Sequence, residues 1–259
     1  YPARARSAEC CTRGPIGDLF QKTGPHGWTF HAIRVYAARD RTLGPAPQEP
    51  KTERFEMTML SNLAPIPELY VSYESAQKLK VEAGDLKSLD LTPRQICDLE
   101  LLMNGGFHPL KGFLDRDDYD RVVREMRLAD GTLWPMPITL DVSQAFAAGI
   151  DPGQDIALRD AEGVILAILS VTDKWTPDKA AEAAAVYGAD DLAHPAVNYL
   201  HNVAGPVYLG GPVIGIQAPI HYDFRARRDT PNELRAYFRK LGWRRIVAFQ
   251  TRNPLHRAH

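Results

Sequence analysis

The sequence is poor in cysteine, in long apolar runs and in secretion signals. Its 259 residues include 3 cysteines, of which Cys10 and Cys11 are adjacent and Cys97 stands alone. So few cysteines cannot form a disulfide framework and are typical of a reducing compartment. No apolar run approaches the ~20 residues of a membrane-spanning helix, and residues 1–25 show no basic-then-apolar pattern. We therefore expect a cytoplasmic protein that has no membrane partner.

The sequence also lacks an excess of charge of either sign. Lys and Arg number 31, Asp and Glu number 32, and the formal net charge is -1. Such a chain has no overall field that would attract nucleic acid, so we expect no nucleic-acid partner and only local anion affinity. A hydrophobic fraction of 44% with 24% charged residues is ordinary for a globular protein and excludes a disordered or collagen-like chain.

Residues 1–56 differ in composition and periodicity from the remainder of the chain. They contain six prolines and no sustained period of 2 or 3.6, which predicts an irregular segment. Met57 and Met59 stand just before regular patterning begins, so our hypothesis is that the native start is one of these residues and that 1–56 is non-native. The alternative is a genuine disordered arm.

Two helices are predicted in the first half of the chain, the first of them from its capping signals. Thr92 is placed as an N-cap with Pro93 at the first helical position, and the helix should stop at 104–106, where Asn-Gly-Gly stands. We expect Cys97 to be inert on this helix. The sequence predicts a second amphipathic helix over 115–128, followed by a turn at 130–131.

Strand patterns dominate the following region. They predict a strand over 133–142, with Pro135 and Pro137 suggesting a sheet edge, and a hairpin that joins 155–160 to 164–171. A glycine-interrupted strand is predicted over 207–216. We therefore expect a compact β-rich domain, of the small-barrel type, between about 63 and 220.

The pattern changes again near residue 229. Thr230 and Glu233 form a capping box, an apolar stripe follows, and Gly242 is the expected C-cap. The apolar run 245–249 is of the kind found in a buried parallel strand. Helix, strand and polar turn together predict the start of an α/β nucleotide-binding domain.

The ten residues that follow this strand predict an anion site. A strand end beside a helix amino terminus presents free backbone N–H groups and partial positive charge. Arg252 adds a guanidinium that can bind sulfate or phosphate oxygens in bidentate fashion. The remaining polar side chains are Gln250, Thr251, Asn253, His256 and His259.

The two histidines have other interpretations. They could form a metal pair, but zinc-binding helices usually space histidines four apart and no cysteine or carboxylate stands nearby, so no metal site is predicted. They could also simply cap a helix. We favour the anion-binding interpretation because Arg252, Asn253 and the preceding strand accompany them.

The decapeptide Gln-Thr-Arg-Asn-Pro-Leu-His-Arg-Ala-His at 250–259 resembles the signature of the ATP sulfurylase (sulfate adenylyltransferase) family. Supporting segments lie at 104–114, 194–201 and 207–212, in the family's order. The resemblance spans about 60–259 and is greatest to bacterial forms fused to an adenylylsulfate kinase. Nothing in 1–56 resembles the family.

The resemblance implies a mixed α/β and β architecture. Residues 57–222 would be a PUA-like β-barrel domain, and 223–259 the incomplete start of a Rossmann-like nucleotidyltransferase domain. It further implies the reaction of ATP with sulfate to give adenylyl sulfate and pyrophosphate, with Mg²⁺ on the nucleotide. An adenylylsulfate kinase domain and a homo-oligomer are expected in the full-length protein.

Residue roles follow from the same resemblance. It implies catalytic roles for Thr251, Arg252 and Asn253, and sulfate binding by Gln250 and Arg252. It implies transition-state stabilisation by His256 and His259. All six of these residues would contact ATP: Gln250, Thr251, Arg252, Asn253, His256 and His259.

Family catalytic domains continue beyond this histidine pair, so we expect the 259-residue chain to be inactive by itself. Two alternatives stay open at this point. One is a PUA-like RNA-binding module, which would show a basic, aromatic-studded face and salt-sensitive affinity. The other is a nucleotidyltransferase that acts on a different acceptor, which sulfate-dependent pyrophosphate exchange would distinguish.

Overall fold

The structure is a computed structural model that describes residues 32–37, 64–243 and 245–251, with the backbone alone for 32–37 and 248–251. The helices are α1 (Tyr73–Glu82), α2 (Pro93–Met103), α3 (Arg116–Glu125), α4 (Gln144–Ala148), α5 (Lys179–Glu182), α6 (Pro195–Asn202) and α7 (Pro231–Lys240). A π turn, Ala183–Tyr187, follows α5, and a 3-10 turn, Arg225–Arg227, precedes α7. The strands are β1 (Ala32–Ala37), β2 (Ser88–Asp90), β3 (Gly112–Phe113), β4 (Leu140–Val142), β5 (Asp155–Arg159), β6 (Ile165–Ser170), β7 (Asp173–Trp175), β8 (Val207–Gly215) and β9 (Ile246–Thr251).

Helix α2 forms as its capping signals predict. The Gln95 backbone N–H donates to Thr92 Oγ1 at 3.3 Å, and the Thr92 N–H donates to Gln95 Oε1 at 2.9 Å. This reciprocal pair satisfies two of the backbone donors that a helix leaves free at its amino terminus. Leu99, Leu102 and Met103 are buried on one face, and the helix ends at Asn104 as predicted. Cys97 lies on the exposed side of this helix.

Helix α3 is shorter than the predicted 115–128. Asp115 is its N-cap and accepts the Asp118 backbone N–H at 2.9 Å. At the other end, Met126 takes a left-handed conformation with φ of 54° and terminates the helix. Left-handed residues at this position stop helices because they turn the next N–H away from the helical repeat.

Four strands pair with β8, which makes it the centre of a curled sheet. The hydrogen-bonded order is β2-β5-β6-β8-β3, and β4 and β7 also pair with β8. The β5–β6 hairpin is antiparallel, as predicted, whereas β2 joins β5 in parallel. The predicted β-rich domain is therefore confirmed, and we call it the sheet domain. Its core contains fully buried residues from several strands and α2: Leu99, Leu140, Leu158, Leu166, Leu169 and Leu209.

The predicted strand over 133–142 is wrong for most of its length. Only Leu140–Val142 forms a strand, with an isolated bridge between Arg127 and Leu133. Pro135 and Pro137 explain the difference, since proline lacks the N–H that a ladder requires.

Four described helices were not predicted: α1, α4, α5 and α6. The amino-terminal signals are present, because Ser72 accepts the Ser75 N–H at 3.3 Å and Pro195 occupies the first turn of α6. Isolated helices of 8 to 10 residues are marginal in water, so packing in the fold stabilises α1 and α6. Helix α1 contributes Ala76 to a small core against β5 and β6.

Residues Leu60–Arg239 form one compact unit, and β1 and β9 belong to a second. Strand β9 covers the predicted apolar run, but it pairs antiparallel with β1, and Val247 is 66% exposed. The predicted buried parallel strand is therefore wrong in the described residues, because the chain supplies an antiparallel partner from before the β-rich domain. The domain boundaries 57–222 and 223–259 remain predictions.

The longest helix described, α2, has 11 residues. Among residues 64–243, no helix is both long and apolar enough to cross a membrane.

Candidate functional site

The predicted anion site lies at the end of β9. Gln250 and Thr251 are the last two residues of that strand, where the backbone alone is described. In the β1–β9 register they stand opposite Ile33 and Ala32. The other predicted site residues lie outside the described residues: Arg252, Asn253, His256 and His259. The described residues therefore do not test whether the predicted side chains lie together, and their roles stay predictions.

Helix α7 leads directly into this region and begins as predicted. The Thr230 N–H donates to Glu233 Oε2 at 2.7 Å, and the Glu233 N–H donates to Thr230 Oγ1 at 3.3 Å. The hydrogen bond from the Thr230 backbone lowers the pKa of Glu233 below its ordinary value. A carboxylate in the first turn also interacts favourably with the helix dipole. Gly242, with φ of 67°, ends the helix.

The predicted apolar stripe of α7 is only partly covered. Leu234 and Phe238 are half-buried, whereas Tyr237 is 42% and Leu241 41% exposed. No described residue of this helix is fully buried. Burial of apolar area therefore contributes less to holding α7 than it does for α2.

Polar side chains instead attach α7 to the extended segment 64–68. The Ile66 N–H donates to Asn232 Oδ1 at 2.8 Å, and Asn232 Nδ2 donates to the Ile66 carbonyl at 2.9 Å and to Glu68 Oε1 at 2.7 Å. Three residues further along, an Arg235 guanidinium nitrogen donates to the Ala64 carbonyl at 3.0 Å. Residues three apart share a helix face, so one face of α7 is bound along this segment.

The chain before α7 is also tied to the sheet domain. His221 Nε2 lies 2.9 Å from both carboxylate oxygens of Glu100 on α2. Further along, Arg228 donates to Asp223 Oδ1 at 2.7 Å within the same connection. The first contact bonds the connection between β8 and α7 to α2, and the second lies within the connection itself.

The segments that supported the family resemblance have structural roles in the described residues. Segment 104–114 runs from the end of α2 through a cis His108–Pro109 peptide into β3. Segment 207–212 is the first part of β8, and segment 194–201 forms most of α6. None of these segments lies in β9, where the predicted site begins.

A cluster of polar side chains in the interior was missed from the sequence. Glu182, at the end of α5, is 4% exposed. Its Oε2 accepts the Tyr119 hydroxyl at 2.8 Å and the Tyr208 hydroxyl at 3.1 Å. The two tyrosine rings pack against each other and against Trp175, with centroids 5.5 to 5.9 Å apart.

Burial dominates the electrostatics of this cluster. It raises the pKa of Glu182, and the two tyrosine hydrogen bonds, with Arg94 and Lys179, oppose that shift. Burial and the carboxylate together raise the pKa of Tyr119 and Tyr208 far above the usual value. The hydroxyls therefore remain protonated donors at neutral pH.

A second polar link joins α2 to the strand β4. Gln95 Nε2 donates to the Asp141 carbonyl at 2.8 Å and to Asp141 Oδ1 at 3.0 Å. Asp141 Oδ2 accepts the Gly205 backbone N–H at 2.6 Å. Because buried polar groups are costly unless paired, these bonds indicate a structural role.

Neither the Glu182 cluster nor the link between Gln95 and Asp141 offers a site for chemistry. The Glu182 oxygen that faces the tyrosines already accepts two hydrogen bonds, and the side chain is enclosed. A groove of about 280 Å³ lies beside Trp175 and Lys174, but Lys174 Nζ donates to the carbonyls of Ala147 and Ile150. Among residues 64–243, no three His, Cys, Asp or Glu side chains are placed to hold a metal ion.

Sequence reasoning missed Asn232 and the Glu182 cluster for one reason. Asn232 and Ile66 are separated by 166 residues, and Tyr119 and Glu182 by 63. No local spacing signals such pairs. An asparagine at the second position of a helix and a glutamate near an alanine run are both ordinary in sequence.

Two protein-family profiles match this chain, one after the other along the sequence. The profile of the PUA-like domain family matches residues 62–218, and that of ATP-sulfurylase matches residues 225–259. The first match covers more than half of the chain.

Individual relatives agree with these matches. A sulfate adenylyltransferase from Mycosarcoma maydis is 54% identical over 187 residues, which cover 71% of this chain and 33% of the relative. One from Saccharomyces cerevisiae is 52% identical over 180 residues, covering 70% and 35%. The chain thus spans about a third of the length of these curated relatives.

A solved structure is also similar. The "Hexameric APS kinase from Thiobacillus denitrificans" is 39% identical with a TM-score of 0.56, and the match covers 70% of this chain and 31% of that one.

Proposed function

The chain belongs to the PUA-like domain family, and we propose that it forms part of a sulfate adenylyltransferase, which transfers the adenylyl group of ATP to sulfate. The relatives that carry this name support the assignment at 50–54% identity. In this proposal the described sheet domain precedes the catalytic domain, and α7 with β9 begins the latter.

One observation carries the proposal. The ATP-sulfurylase profile matches residues 225–259, immediately after the PUA-like match, in a single chain. That stretch contains α7, β9 and the decapeptide. A sheet domain alone would support many functions, because a fold does not determine a reaction.

The proposed reaction joins a sulfate oxygen to the α-phosphorus of ATP. A new oxygen–phosphorus bond forms as the bond between the α-phosphorus and the bridging oxygen breaks, and pyrophosphate leaves with that oxygen. Sulfate is fully deprotonated at neutral pH, so a general base would contribute nothing. The absence of a serine or cysteine nucleophile from the decapeptide agrees with direct attack.

The decapeptide would act by holding the reactants. Gln250 and Arg252 would bind sulfate, and Thr251, Arg252 and Asn253 would form the catalytic turn. His256 and His259 would donate to the β-phosphate and stabilise the charge that develops on pyrophosphate. All of these side chains are hydrogen-bond donors, which suits two anionic reactants.

The energies involved support a role for the decapeptide in positioning the two reactants. Bringing two unit charges of like sign to 4 Å costs roughly 4 kcal/mol at an effective dielectric of ~20. The Arg252 guanidinium and the helix amino terminus would offset that repulsion. Orienting the two reactants in line supplies on the order of 7–11 kcal/mol, as in other phosphoryl transfers.

We also propose the cation, the partners and the location. Mg²⁺ would enter with ATP as part of the substrate. The similar structure is named a hexameric APS kinase, which supports an adenylylsulfate kinase domain and a homo-oligomer in the full-length protein. The low cysteine content supports a cytoplasmic location.

The test is sulfate-dependent exchange between ATP and labelled pyrophosphate in the full-length protein. We expect Arg252→Lys to lower kcat/KM at least about 100-fold, because an ammonium keeps the charge but cannot form the bidentate contact. The 259-residue chain assayed alone should show no exchange.

The matched control is Arg239→Lys, which makes the same chemical change at an exposed position of α7. It should retain the activity of the unaltered protein. Near-normal sulfate activation by the Arg252→Lys variant would refute the assigned role of Arg252, and exchange that does not depend on sulfate would refute the assigned reaction.

A further inference from the structure

We propose that β1 is an autoinhibitory strand, which pairs with β9 and holds it in a form that the completed catalytic sheet excludes. The proposal rests on the proposed function, because β9 is the strand that leads into the decapeptide. Strand β1 lies outside both profile matches, which cover 62–218 and 225–259. The pairing is therefore a feature of this chain beyond the part that the two profiles describe.

The pairing of β1 with β9 extends into the decapeptide. The two strands match over six consecutive pairs in antiparallel register, from Ala37 opposite Ile246 to Ala32 opposite Thr251. In that register Ile33 stands opposite Gln250, a predicted sulfate-binding residue. Antiparallel partners exchange backbone hydrogen bonds at alternate pairs. Strand β1 therefore constrains the backbone of the first two residues of the decapeptide.

The composition of both strands favours this pairing. Strand β1 has the sequence Ala-Ile-Arg-Val-Tyr-Ala, and β9 has the sequence Ile-Val-Ala-Phe-Gln-Thr. Half or more of each strand is β-branched or aromatic, and such residues favour extended backbone. An apolar strand without a neighbour presents a row of unpaired backbone groups that another strand can pair with. Strand β1 satisfies those groups along one edge of β9.

The completed catalytic sheet requires different neighbours for β9. In the proposed Rossmann-like domain β9 is the first strand, and the first strand of such a sheet lies in the interior with a parallel strand on each side. Strand β1 is antiparallel to β9 and occupies one of its two edges. Because one edge pairs with one strand at a time, the form paired with β1 and the completed sheet exclude each other.

The ribbon of β1 and β9 is weak enough to be opened. In the part of the chain that the structure describes, this sheet has two strands, and an isolated two-stranded ribbon is marginally stable in water. Val247 is 66% exposed, whereas strands of parallel sheets are buried on both faces. The paired form lacks that burial, so a strand of the catalytic domain can displace β1 and restore activity.

The first experiment compares two truncations of the full-length protein. One lacks 1–31 and keeps β1, whereas the other lacks 1–38 and loses it. We expect loss of β1 to raise kcat/KM for sulfate at least about threefold, chiefly through a lower KM, because apparent affinity is reduced by the fraction of molecules that cannot bind. An unchanged or lower kcat/KM would overturn the autoinhibitory role.

A pair of proline substitutions tests the pairing without an activity assay. Of two adjacent residues in β1, one bonds to β9, so Arg34→Pro combined with Val35→Pro removes a ladder hydrogen bond in either case. In the 259-residue chain this variant should lose amide protection in β9, while β5 and β6 keep theirs. The control combines Asp40→Pro with Arg41→Pro, beyond the end of β1 at Ala37, and should keep protection in β9. Full protection of β9 in the first variant would overturn the proposal.

A reversible cross-link tests whether the paired form is inactive. Val35 stands opposite Ala248, and Tyr36 stands opposite Val247. One of these adjacent pairs is not hydrogen-bonded, and its short Cα separation suits a disulfide. The variants are Val35→Cys with Ala248→Cys, and Tyr36→Cys with Val247→Cys, in a full-length protein that lacks 1–31 and carries Cys97→Ser.

Oxidation of the cross-linked variant with diamide should abolish sulfate-dependent exchange, and dithiothreitol should restore it. The control is Val35→Cys alone, which should keep its activity through the same treatment. Activity that survives complete cross-linking would show that the paired form is competent and would overturn the proposal. Failure of both cysteine pairs to form a disulfide would overturn the register on which the proposal depends.

The proposed function and the autoinhibitory role fail under different results. If neither truncation shows sulfate-dependent exchange, the proposed function is wrong, and the autoinhibitory role fails with it whatever the protection of β9. If both truncations are equally active, the function stands and the autoinhibitory role is wrong. Equal activity would also agree with the hypothesis that 1–56 is non-native.

Discussion

Glu182 illustrates how single residues bear on this protein's stability. Its carboxylate is almost completely enclosed, and a single oxygen accepts both tyrosine hydroxyls. Burial penalises the charged form more than these hydrogen bonds favour it, so the pKa lies above the ordinary 4.5. The folded protein therefore holds a proton on Glu182 at pH values where the unfolded chain has released it.

The proton on Glu182 determines whether the free energy of unfolding rises or falls with pH. Between the unfolded and the folded pKa of Glu182, the folded state binds more protons than the unfolded state. The free energy of unfolding consequently falls as pH rises through that window. Below the unfolded pKa both states are protonated, and the site makes its full contribution to stability.

We predict that Glu182→Gln stabilises the protein at neutral pH. The glutamine carbonyl can accept both hydroxyls and carries no charge to desolvate, so the free energy of unfolding should rise by on the order of 1 kcal/mol at about pH 7 and hardly change at about pH 4. Urea unfolding at the two pH values measures this. Glu125→Gln, at an exposed position of α3, is the control and should show no such difference. A Glu182→Gln variant less stable at about pH 7 would contradict the prediction.

At the scale of elements, β8 organises the sheet by exchanging partners along its length. Its residues 207–210 pair with β4 and β7, and residues 211–215 pair with β3 and β6. The change occurs at Gly210 and Gly211. Gly211 has φ of 147°, and a Cβ there would collide with the Ser170 carbonyl oxygen. Glycine is needed because another backbone approaches at this point.

We predict that Gly211→Ala destabilises the protein by more than about 3 kcal/mol or prevents folding, because the collision is with backbone atoms that cannot move aside. The control is Gly131→Ala, which also has a positive φ, of 85°, but has open space around the Cβ position. It isolates the conformational cost, expected to be about 1 kcal/mol. Urea unfolding of both variants tests the comparison, and equal losses would show that the collision is relieved elsewhere.

At the scale of the molecule, the sheet domain has a hydrophobic core that its own residues form. Every described residue of its hydrophobic clusters lies within Leu60–Arg239. The clusters draw on α1 to α4, on α6, on the π turn Ala183–Tyr187 and on the strands of the sheet. A unit with its own core unfolds largely as one domain.

We predict that removing residues 1–59 leaves the Tm of this unit within about 2 °C of its original value, since a loss of ~1 kcal/mol would shift a domain of this size by ~2–4 °C. Near-ultraviolet circular dichroism follows the transition through Trp134 and Trp175, which lie in the unit. A chain lacking only 1–31, which keeps β1, is the control. A larger drop confined to the chain lacking 1–59 would show that β1 supports the sheet domain.

Local signals predicted much of this architecture. The N-cap at Thr92 with Pro93 placed α2, the capping box at Thr230 placed α7, and the strand pattern over 155–171 placed the β5–β6 hairpin. The family match over 62–218 confirms the PUA-like fold class, and the match over 225–259 agrees with the start of a catalytic domain. The predicted site residues from Arg252 onward lie outside the described residues.

The sequence by itself determined the features that depend on neighbours in the chain: helix ends, tight turns and the decapeptide. Caps and turns are decided within about four residues, so they can be recognised locally. Only the tertiary structure decided which strands share β8, that β9 runs antiparallel to β1, and that Asn232 meets Ile66. Those pairings join distant residues whose affinity depends on burial and on competing partners, and no local pattern encodes either.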